Sequence, residues 1–171
     1  MEEETTIFNE EESYQYDASD KPFDFVEVGI GTALVCEANP AARERISSAL
    51  RAMGYQITEP ASIKEAIKNM RFHIYDVVIL NENFDTENPD ANIVLSSLAN
   101  LNVGTRRQIF VALLSDRFRT MDNMTAFNRS VNVIINMKNI DDIDTILKRS
   151  LTDNTAFYHV FKEALKKKGR L

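Results

Sequence analysis

Three polar residues that could do chemistry stand at the ends of short apolar runs. Glu37 follows the run 32–36, Asn81 ends the run 75–81, and Ser115 follows the run 109–114. A short apolar run that stops at a polar residue indicates a buried strand that delivers this side chain to the end of a sheet. A carboxylate there can ligate a metal ion or attack as a nucleophile. The amide of Asn81 cannot act as a carboxylate nucleophile, and such a residue often caps the following turn.

Five short apolar runs alternate with segments of helical periodicity, and they predict strands at 32–36, 55–58, 76–80, 109–114 and 131–135. This alternation indicates a parallel sheet that is covered on both faces by helices. We therefore expect a doubly wound α/β fold, in which functional residues gather at the carboxyl ends of the strands. Those ends hold Glu37 and Ala38, Asn81 and Glu82, Leu114 and Ser115, and residues 136–138.

Helix signals separate the predicted strands. Asn39 and Pro40 form a helix start, Gly54 is a helix stop, and Ser62 with Glu65 forms a capping box. Further helices are expected at about 90–100, 120–129 and 141–151, with a last one that starts at residue 153 or 154 and runs through 168. The residues expected to face the core from the first three of these are Ile93, Val94, Leu95, Leu98, Met121, Met124, Phe127, Ile143, Ile146, Leu147 and Leu151.

The composition indicates one domain with a real core, since 44% of the 171 residues are apolar. No apolar run approaches the ~20 residues needed to span a bilayer, and the acidic N-terminus has no secretory signal pattern. The one cysteine, Cys36, lies inside an apolar run, which favours a buried thiol and allows no internal disulfide or cysteine zinc site. Together these features predict a cytoplasmic protein.

The formal net charge of −6 is distributed unevenly. Residues 1–29 hold ten acidic residues and one lysine, a net charge of 1 − 10 = −9, and the rest of the chain therefore carries −6 + 9 = +3. We expect an acidic arm at 1–29, a domain at 30–153 and an appended C-terminal helix at 154–171. The arm is either a solvated tail or a segment that docks on the basic body.

Residues ~32–151 resemble the receiver domain of bacterial response regulators. The sequence Leu-Val-Cys-Glu-Ala-Asn-Pro at 34–40 resembles the family's first strand, its acidic pair and the start of its first helix. Met-Gly-Tyr at 53–55 resembles the helix stop before the second strand, and residues 75–81 resemble the third strand with its phosphate-accepting position. The resemblance implies a flavodoxin-like (CheY-like) five-stranded parallel sheet, to which the C-terminal helix is an addition.

The family's chemistry uses Mg²⁺, held by two acids after the first strand and by the acceptor aspartate, because Mg²⁺ prefers carboxylate oxygens. A hydroxyl after the fourth strand and a lysine after the fifth contact the phosphoryl group. The corresponding positions here are Glu37 and Ala38 for the acidic pair, Asn81 for the acceptor, Leu114 or (with a shift of one residue) Ser115 for the hydroxyl, and Lys138 for the lysine. The resemblance thus implies a degenerate pocket that binds Mg²⁺ poorly.

The stretches 70–83 and 112–122 also resemble a narrower group, the bacterial receiver-like domains found next to an N-terminal zinc ribbon. No such ribbon is present in this sequence. Glu37 has two interpretations: it is a residual metal ligand, or it pairs with Lys138 across the end of the sheet. We favour the pairing.

The segment 115–124 is the predicted partner-binding segment, because arginine, aromatic and methionine side chains suit protein interfaces. In receivers, the face built from the fourth helix, fifth strand and fifth helix is where partners bind. The alternative is that Phe118 and the methionines belong to the core. The last helix adds an apolar stripe that needs cover from the domain or a partner. The candidate partner-binding residues are Arg117, Phe118, Arg119, Met121, Phe157 and Phe161.

The sequence therefore predicts a receiver-like domain that is not phosphorylated and binds a protein partner, with a second copy of the chain as one alternative, in a bacterial signalling or motility pathway. One rival is an active phosphoreceiver with Glu37 or Glu82 as acceptor. Another is a nucleic-acid-binding regulator, which is weakened by the lack of any recognised motif. An enzyme is not expected, because no catalytic triad or glycine-rich phosphate loop is recognisable.

Overall fold

A computed structural model describes residues 30–169 of the chain. The predicted acidic arm at 1–29 lies outside the described residues, as do the last two residues of the predicted C-terminal helix. Within the described residues there are five short strands, of which the second is half-buried and the other four are almost wholly buried. They are β1 (Thr32–Cys36), β2 (Gln56–Thr58), β3 (Val77–Asn81), β4 (Phe110–Ser115) and β5 (Val133–Asn136).

The strands form one parallel sheet in the order β2-β1-β3-β4-β5. In the register of the sheet, Val35 pairs with Ile79 and Ile79 pairs with Ala112, so the central strands end side by side. The carboxyl ends of β1, β3 and β4 therefore bring Glu37, Asn81 and Ser115 to the same edge of the sheet. The predicted doubly wound α/β fold is confirmed.

The described residues form seven α-helices. They are α1 (Pro40–Ala52), α2 (Ile63–Phe72), α3 (Ile93–Ala99), α4 (Val103–Arg106), α5 (Asn123–Asn128), α6 (Ile143–Phe157) and α7 (His159–Lys167). Helices α1 and α6 pack on one face, through Ile46, Leu50 and Leu147. Helices α2, α3 and α5 pack on the other, through residues such as Ala66 and Leu98. Burial on both faces explains why the strands read as continuous apolar runs.

Side-chain caps start most of these helices, and the two helix starts predicted at Asn39 and Ser62 are confirmed. The Asn39 side chain accepts a hydrogen bond from the N–H of Ala42 at the start of α1, and the Ser62 side chain accepts one from Glu65 at the start of α2. Asn92 and Asp122 cap α3 and α5 in the same way. These caps satisfy N–H groups that have no partner in the first turn of a helix.

One helix was not predicted, and the start of the last helix differs from the prediction. Helix α4 was not predicted, because a single turn of four residues is too short to show a helical period. The predicted start of the last helix at residue 153 or 154 is wrong, since both residues lie inside α6. The side-chain oxygen Oδ1 of Asn154 accepts a hydrogen bond from the side-chain amide of Asn132 instead of capping a helix. The extra C-terminal helix is confirmed as α7, which begins at His159 after a break at Tyr158.

The predicted burial of the helix at 120–129 is wrong. Its three apolar residues, Met121, Met124 and Phe127, are exposed, and Ala126 is the buried member of α5. Ile93 in α3 is likewise exposed, whereas Val94 and Leu98 are buried. Helix α5 has six residues, which is fewer than two helical turns, so few of its side chains can face the sheet. This short length explains why Met124 and Phe127 are exposed.

Candidate functional site

The end of β3 places Asn81 against Glu37 at the end of β1. The Asn81 amide nitrogen donates a hydrogen bond of 2.7 Å to one carboxylate oxygen of Glu37. The other carboxylate oxygen accepts a hydrogen bond of 2.9 Å from the N–H of Asn39. Both side chains are buried. An acid and an amide thus satisfy each other at a position where a buried carboxylate alone would be costly.

Asn81 also performs the capping role suggested by its sequence. Its carbonyl oxygen accepts a hydrogen bond of 2.9 Å from the N–H of Asn83 in the following turn. Its amide nitrogen lies 3.9 Å from the sulfur of Met137. The prediction that Glu37 pairs with Lys138 is wrong, because the Lys138 side chain is exposed and its backbone N–H donates to Asn136. The side chain that approaches Asn81 from the residues after β5 is that of Met137.

The donor set of this pocket does not fit Mg²⁺. Glu37 supplies the single carboxylate, and both of its oxygens already accept hydrogen bonds. Ala38 has no ligand atom. Among residues 30–169, no group of three or more His, Cys, Asp or Glu side chains is placed to hold a metal ion. Mg²⁺ takes octahedral oxygen ligands, and the Glu37 carboxylate would have to give up its hydrogen bonds to Asn39 and Asn81 in order to serve as one.

A second buried acid, Glu82, follows Asn81 and forms a separate cluster. One of its oxygens accepts hydrogen bonds from the Ser115 hydroxyl at 2.6 Å and from Nε of Arg117 at 3.1 Å. The other accepts a bond of 2.7 Å from Nη2 of Arg117. The bidentate contact with Arg117 balances the charge of the Glu82 carboxylate, which is 1% exposed, and the Ser115 hydroxyl adds a third hydrogen bond. The Ser115 hydroxyl is thus bound to a carboxylate of the protein itself.

The structure distinguishes the two residues, Leu114 and Ser115, that were candidates for the hydroxyl position at the end of β4. Leu114 pairs with Asn81 across the sheet, but its side chain belongs to the core on the α1 and α6 face. Ser115 reaches the sheet edge, and its hydroxyl oxygen accepts hydrogen bonds from the N–H groups of Arg117 and Phe118. The alternation of side chains along a strand explains why only one of the two can serve the edge.

Asp90 and Arg129 extend the Glu82 cluster to the surface. Asp90 contacts Nη2 of Arg117 at 3.1 Å and Nη1 of Arg129 at 2.9 Å. Hydrogen bonds from Arg117, and to a smaller extent from Arg129, lower the pKa of Asp90. The hydrogen bonds to Glu82 and Asp90 raise the pKa of Arg117. Both guanidinium groups lie over the Phe118 ring, at 4.8 and 5.1 Å from its centroid. The cluster joins β3, β4, α5 and the turn before α3.

The sequence did not indicate this cluster as a unit. Glu82 was recognised as a strand-end residue, whereas Arg117 and Phe118 were assigned to a partner surface. An acid directly after a buried strand, with an arginine directly after the neighbouring strand, is the signal that could have predicted the pair. Arg117 and Phe118 are tied into the domain, since Phe118 also packs against the core.

Four exposed apolar residues lie near β5, which is one of the two edge strands of the sheet. Phe127 of α5 is 79% exposed, Phe157 of α6 is 80% exposed, and Met124 is also exposed. A hollow of about 420 Å³ lies between α5 and α6, and Met121, Phe127 and Phe157 line it. Large apolar side chains around such a hollow are typical of protein-binding surfaces. We call the surface formed by Met121, Met124, Phe127 and Phe157 the edge surface.

The loop between β4 and α5 is bonded to the backbone of β5. The N–H of Met121 donates to the carbonyl of Ile134, and the Thr120 hydroxyl accepts from the N–H of Asn136. Met121 has a positive φ of 63°, a left-handed conformation that is uncommon for residues other than glycine. The two hydrogen bonds hold the loop, and with it Met121, beside β5.

The remaining candidates are placed as follows. Arg119 is exposed on the same loop as Met121. Phe161 of α7 is partly buried, with the guanidinium of Arg107 above its ring at 5.6 Å. Phe161 therefore belongs to the packing of α7 on the domain, whereas Phe157 faces outward. Within residues 30–169, no helix has the length and apolar character that crossing a bilayer requires.

Neither a protein-family profile nor a curated protein sequence matches this chain. Solved structures do match it. The chemotaxis response regulator CheY4 of Vibrio cholerae superposes with a TM-score of 0.56 and 15% identity, over 71% of this chain and 98% of that one.

A CheY-like receiver domain protein from Methanospirillum hungatei superposes with a TM-score of 0.56 and 13% identity, over 73% and 96% of the two chains. The receiver domain of the Francisella response regulator 1452 gives 0.51 and 18%, over 70% and 98%. At these identities the likeness concerns the fold. Its extent over nearly the full length of each receiver, together with the strand order found here, means that this chain has the fold of CheY-like response-regulator receiver domains.

Proposed function

We propose that this chain is a receiver-like signalling domain that is not phosphorylated and acts by binding a protein partner. The observation that carries the proposal is the hydrogen bond between the Asn81 amide and the Glu37 carboxylate, at the strand ends where a receiver needs a nucleophilic carboxylate and Mg²⁺. A working site would have both acids free to ligate the metal. Here the one acid present is satisfied by the amide and by the N–H of Asn39.

Glu82 is the carboxylate nearest to replacing the missing acceptor, and its surroundings oppose that role. A nucleophilic carboxylate needs a free oxygen that faces a phosphodonor. Glu82 is buried, and its oxygens accept three hydrogen bonds from Ser115 and Arg117. A guanidinium in bidentate contact also withdraws charge from the attacking oxygen. These contacts support an inert pocket with a locked β4–α5 loop.

The edge surface supports the binding role. Met124, Phe127 and Phe157 expose apolar area beside β5, and Met121 and Arg119 adjoin them. Methionine side chains adapt to different partners, and large aromatic residues supply most binding energy in many interfaces. We infer a protein partner in a bacterial two-component or motility pathway, in the cytoplasm.

Two experiments test the proposal. In the first, amide NMR spectra are recorded with Mg²⁺ and beryllofluoride, a phosphoryl mimic. We expect no shift at Asn81, Glu82 or Ser115. Saturable shifts at these residues, or uptake of phosphate from acetyl phosphate, would establish an active phosphoreceiver instead.

The second experiment measures partner capture by Phe127→Ala, with Phe72→Ala as the matched control. Phe72 is an exposed phenylalanine at the end of α2, away from β5. Partners that elute from the unmodified chain are identified, and each is then titrated against both variants. We expect Phe127→Ala to weaken binding by about tenfold or more, which corresponds to about 1.4 kcal/mol, and Phe72→Ala to leave it unchanged. Equal affinities for the two variants would reject the edge surface as the interface.

A further inference from the structure

Helix α7 is only weakly held by the domain. None of its nine residues is fully buried, and Val160 is largely exposed. Its main anchor is Phe161, which lies under Arg107 and near the Tyr158 ring. A helix this short is marginally stable in water without tertiary contacts. The unfavourable free energy of nucleating it is not offset by the few hydrogen bonds that it forms. Additional contacts from another segment or molecule would therefore stabilise α7.

Helix α7 and the residue after it carry a net positive charge. Residues 159–168 hold four lysines, at 162, 166, 167 and 168, and one acid, Glu163, so their net charge is 4 − 1 = +3. Glu163 lies 3.8 Å from the Lys166 amine. The other lysines have no salt bridge with the described residues. Lys166 and Lys167 are exposed, and we call the exposed part of α7 that carries them and Val160 the α7 surface.

The described part of the chain begins beside this surface. Ile30, Asn154 and Lys162 line one hollow of about 380 Å³ beneath the amino ends of the strands. That hollow adjoins the hollow of the edge surface, since Phe110 and Asn154 line both. Ile30 itself is 40% exposed. Ile30, the first described residue, therefore lies beside Lys162 of α7.

The chemistry of the segment that precedes Ile30 complements the α7 surface. Residues 1–29 carry a net charge of −9, and Phe23, Phe25 and Val26 stand between acids near their end. A chain spans up to about 3.3–3.6 Å per residue, so Phe23 can lie up to roughly 25 Å from Ile30. Helix α7 is about 14 Å long at 1.5 Å per residue. The acidic and aromatic residues are within reach of the whole helix.

We propose that the acidic segment 1–29 docks on the α7 surface of its own chain. Its carboxylates lie against the lysines of α7, and its aromatic residues lie against Val160 and Phe157. The attraction acts over a Debye length of about 8 Å at physiological salt, and tethering beside Ile30 raises the effective concentration of the segment. Because Phe157 also belongs to the edge surface, the docked segment would compete with a partner there. The docking itself does not depend on the proposed function.

Paramagnetic relaxation in the full chain tests the docking. Glu11→Cys provides a thiol for a nitroxide, while the native Cys36 is buried and its thiol pKa is raised by burial, so that it does not react in the folded protein. We expect the label to broaden the amide signals of Val160, Phe161 and Ala164. A label at Glu87→Cys, at the opposite end of the sheet, is the control and should leave these signals unchanged.

Charge reversal on α7 separates docking from chance proximity. Lys166→Glu with Lys167→Glu should abolish the broadening, and so should high salt. Lys64→Glu with Arg71→Glu reverses two exposed cations on α2 and should leave it intact. Unchanged strand signals in both variants show that the fold survives.

Two results would overturn the proposal. The first is a label at residue 11 that leaves α7 unaffected. The second is broadening seen only when a spin-labelled chain is mixed with a separate isotope-labelled chain, which would assign the surface to a second copy. Either result leaves partner binding by the edge surface open, because that function is measured by the Phe127→Ala titration.

Discussion

The Asn81 amide nitrogen lies 2.7 Å from a carboxylate oxygen of Glu37, and both side chains are buried between the ends of β1 and β3. An amide donates where a second carboxylate would repel. The pair is therefore stable without a metal ion, whereas two acids at this distance would need a cation or a proton between them. The hydrogen bond to the Asn81 amide thus takes the place that a cation or a proton would have between two acids.

Asn81→Asp should destabilise the domain in a pH-dependent manner. The new carboxylate faces Glu37, so the pKa of one of the two acids is raised in the folded state. A raised pKa gives stability that is present at low pH and is lost as the pH rises through the folded-state pKa. We expect a loss of about 3 kcal/mol at pH 8 and a smaller loss at pH 5.

Urea unfolding at the two pH values measures this difference. Asn83→Asp is the control, because Asn83 is exposed and its substitution should change stability little at either pH. Equal losses for Asn81→Asp at pH 5 and pH 8 would mean that repulsion with Glu37 is not the cause. Mg²⁺ should restore part of the stability to Asn81→Asp and none to the unmodified chain.

Glu82→Gln should lower the stability of the domain more than the loss of a surface ion pair of similar length. The Glu82 carboxylate contacts Arg117 at 2.7 Å and is buried, while Asp141 contacts Arg45 at 2.6 Å and both partners are exposed. We expect Glu82→Gln to lower the free energy of unfolding by about 2 kcal/mol, since Arg117 is partly exposed and can recover some hydration. Asp141→Asn should cost about 0–1 kcal/mol. Urea unfolding at pH 7 compares them directly, and similar costs would show that burial does not strengthen the Glu82 pair.

Asp90 should titrate below its ordinary range. Arg117 and Arg129 hold the pKa of its carboxyl down, so its ionised form is favoured in the folded state. A lowered pKa gives stability that is present above the unfolded-state pKa and is lost as the pH falls through the folded-state pKa. Carboxyl NMR titration of Asp90 checks this, and Arg129→Gln should move the pKa back up. An Asp90 pKa at or above about 3.9, the unperturbed value, would mean that the two guanidinium contacts are not formed in solution.

Cys36 should resist alkylation in the folded protein. Burial raises the pKa of its thiol, and the thiolate is the reactive form. We expect iodoacetamide at pH 8 to modify Cys36 only as fast as the domain opens, and to modify it rapidly in urea. Mass spectrometry at timed intervals measures both rates. Rapid modification without denaturant would show that β1 is accessible in the native state.

The local sequence predicted much of the fold. Five apolar runs identified the strands to within one or two residues, and Asn39, Ser62 and Gly54 correctly marked helix starts and a helix end. These features depend on neighbours in the chain, through periodicity and capping, so a single sequence carries them. The sequence also placed Glu37 and Asn81 at neighbouring strand ends, because the carboxyl ends of parallel strands share one edge.

The local sequence pattern is thus sufficient for the α/β class, for the buried strands and for the position of the Asn81 amide at the end of β3. The partners of the polar groups, in contrast, follow from the tertiary structure. Glu37 bonds to Asn81 rather than Lys138, Glu82 bonds to Arg117 across two strands, and Phe127 faces solvent because β5 is an edge strand of the sheet. Each of these outcomes depends on distances between residues far apart in the chain, and such distances follow from packing and register rather than from local pattern.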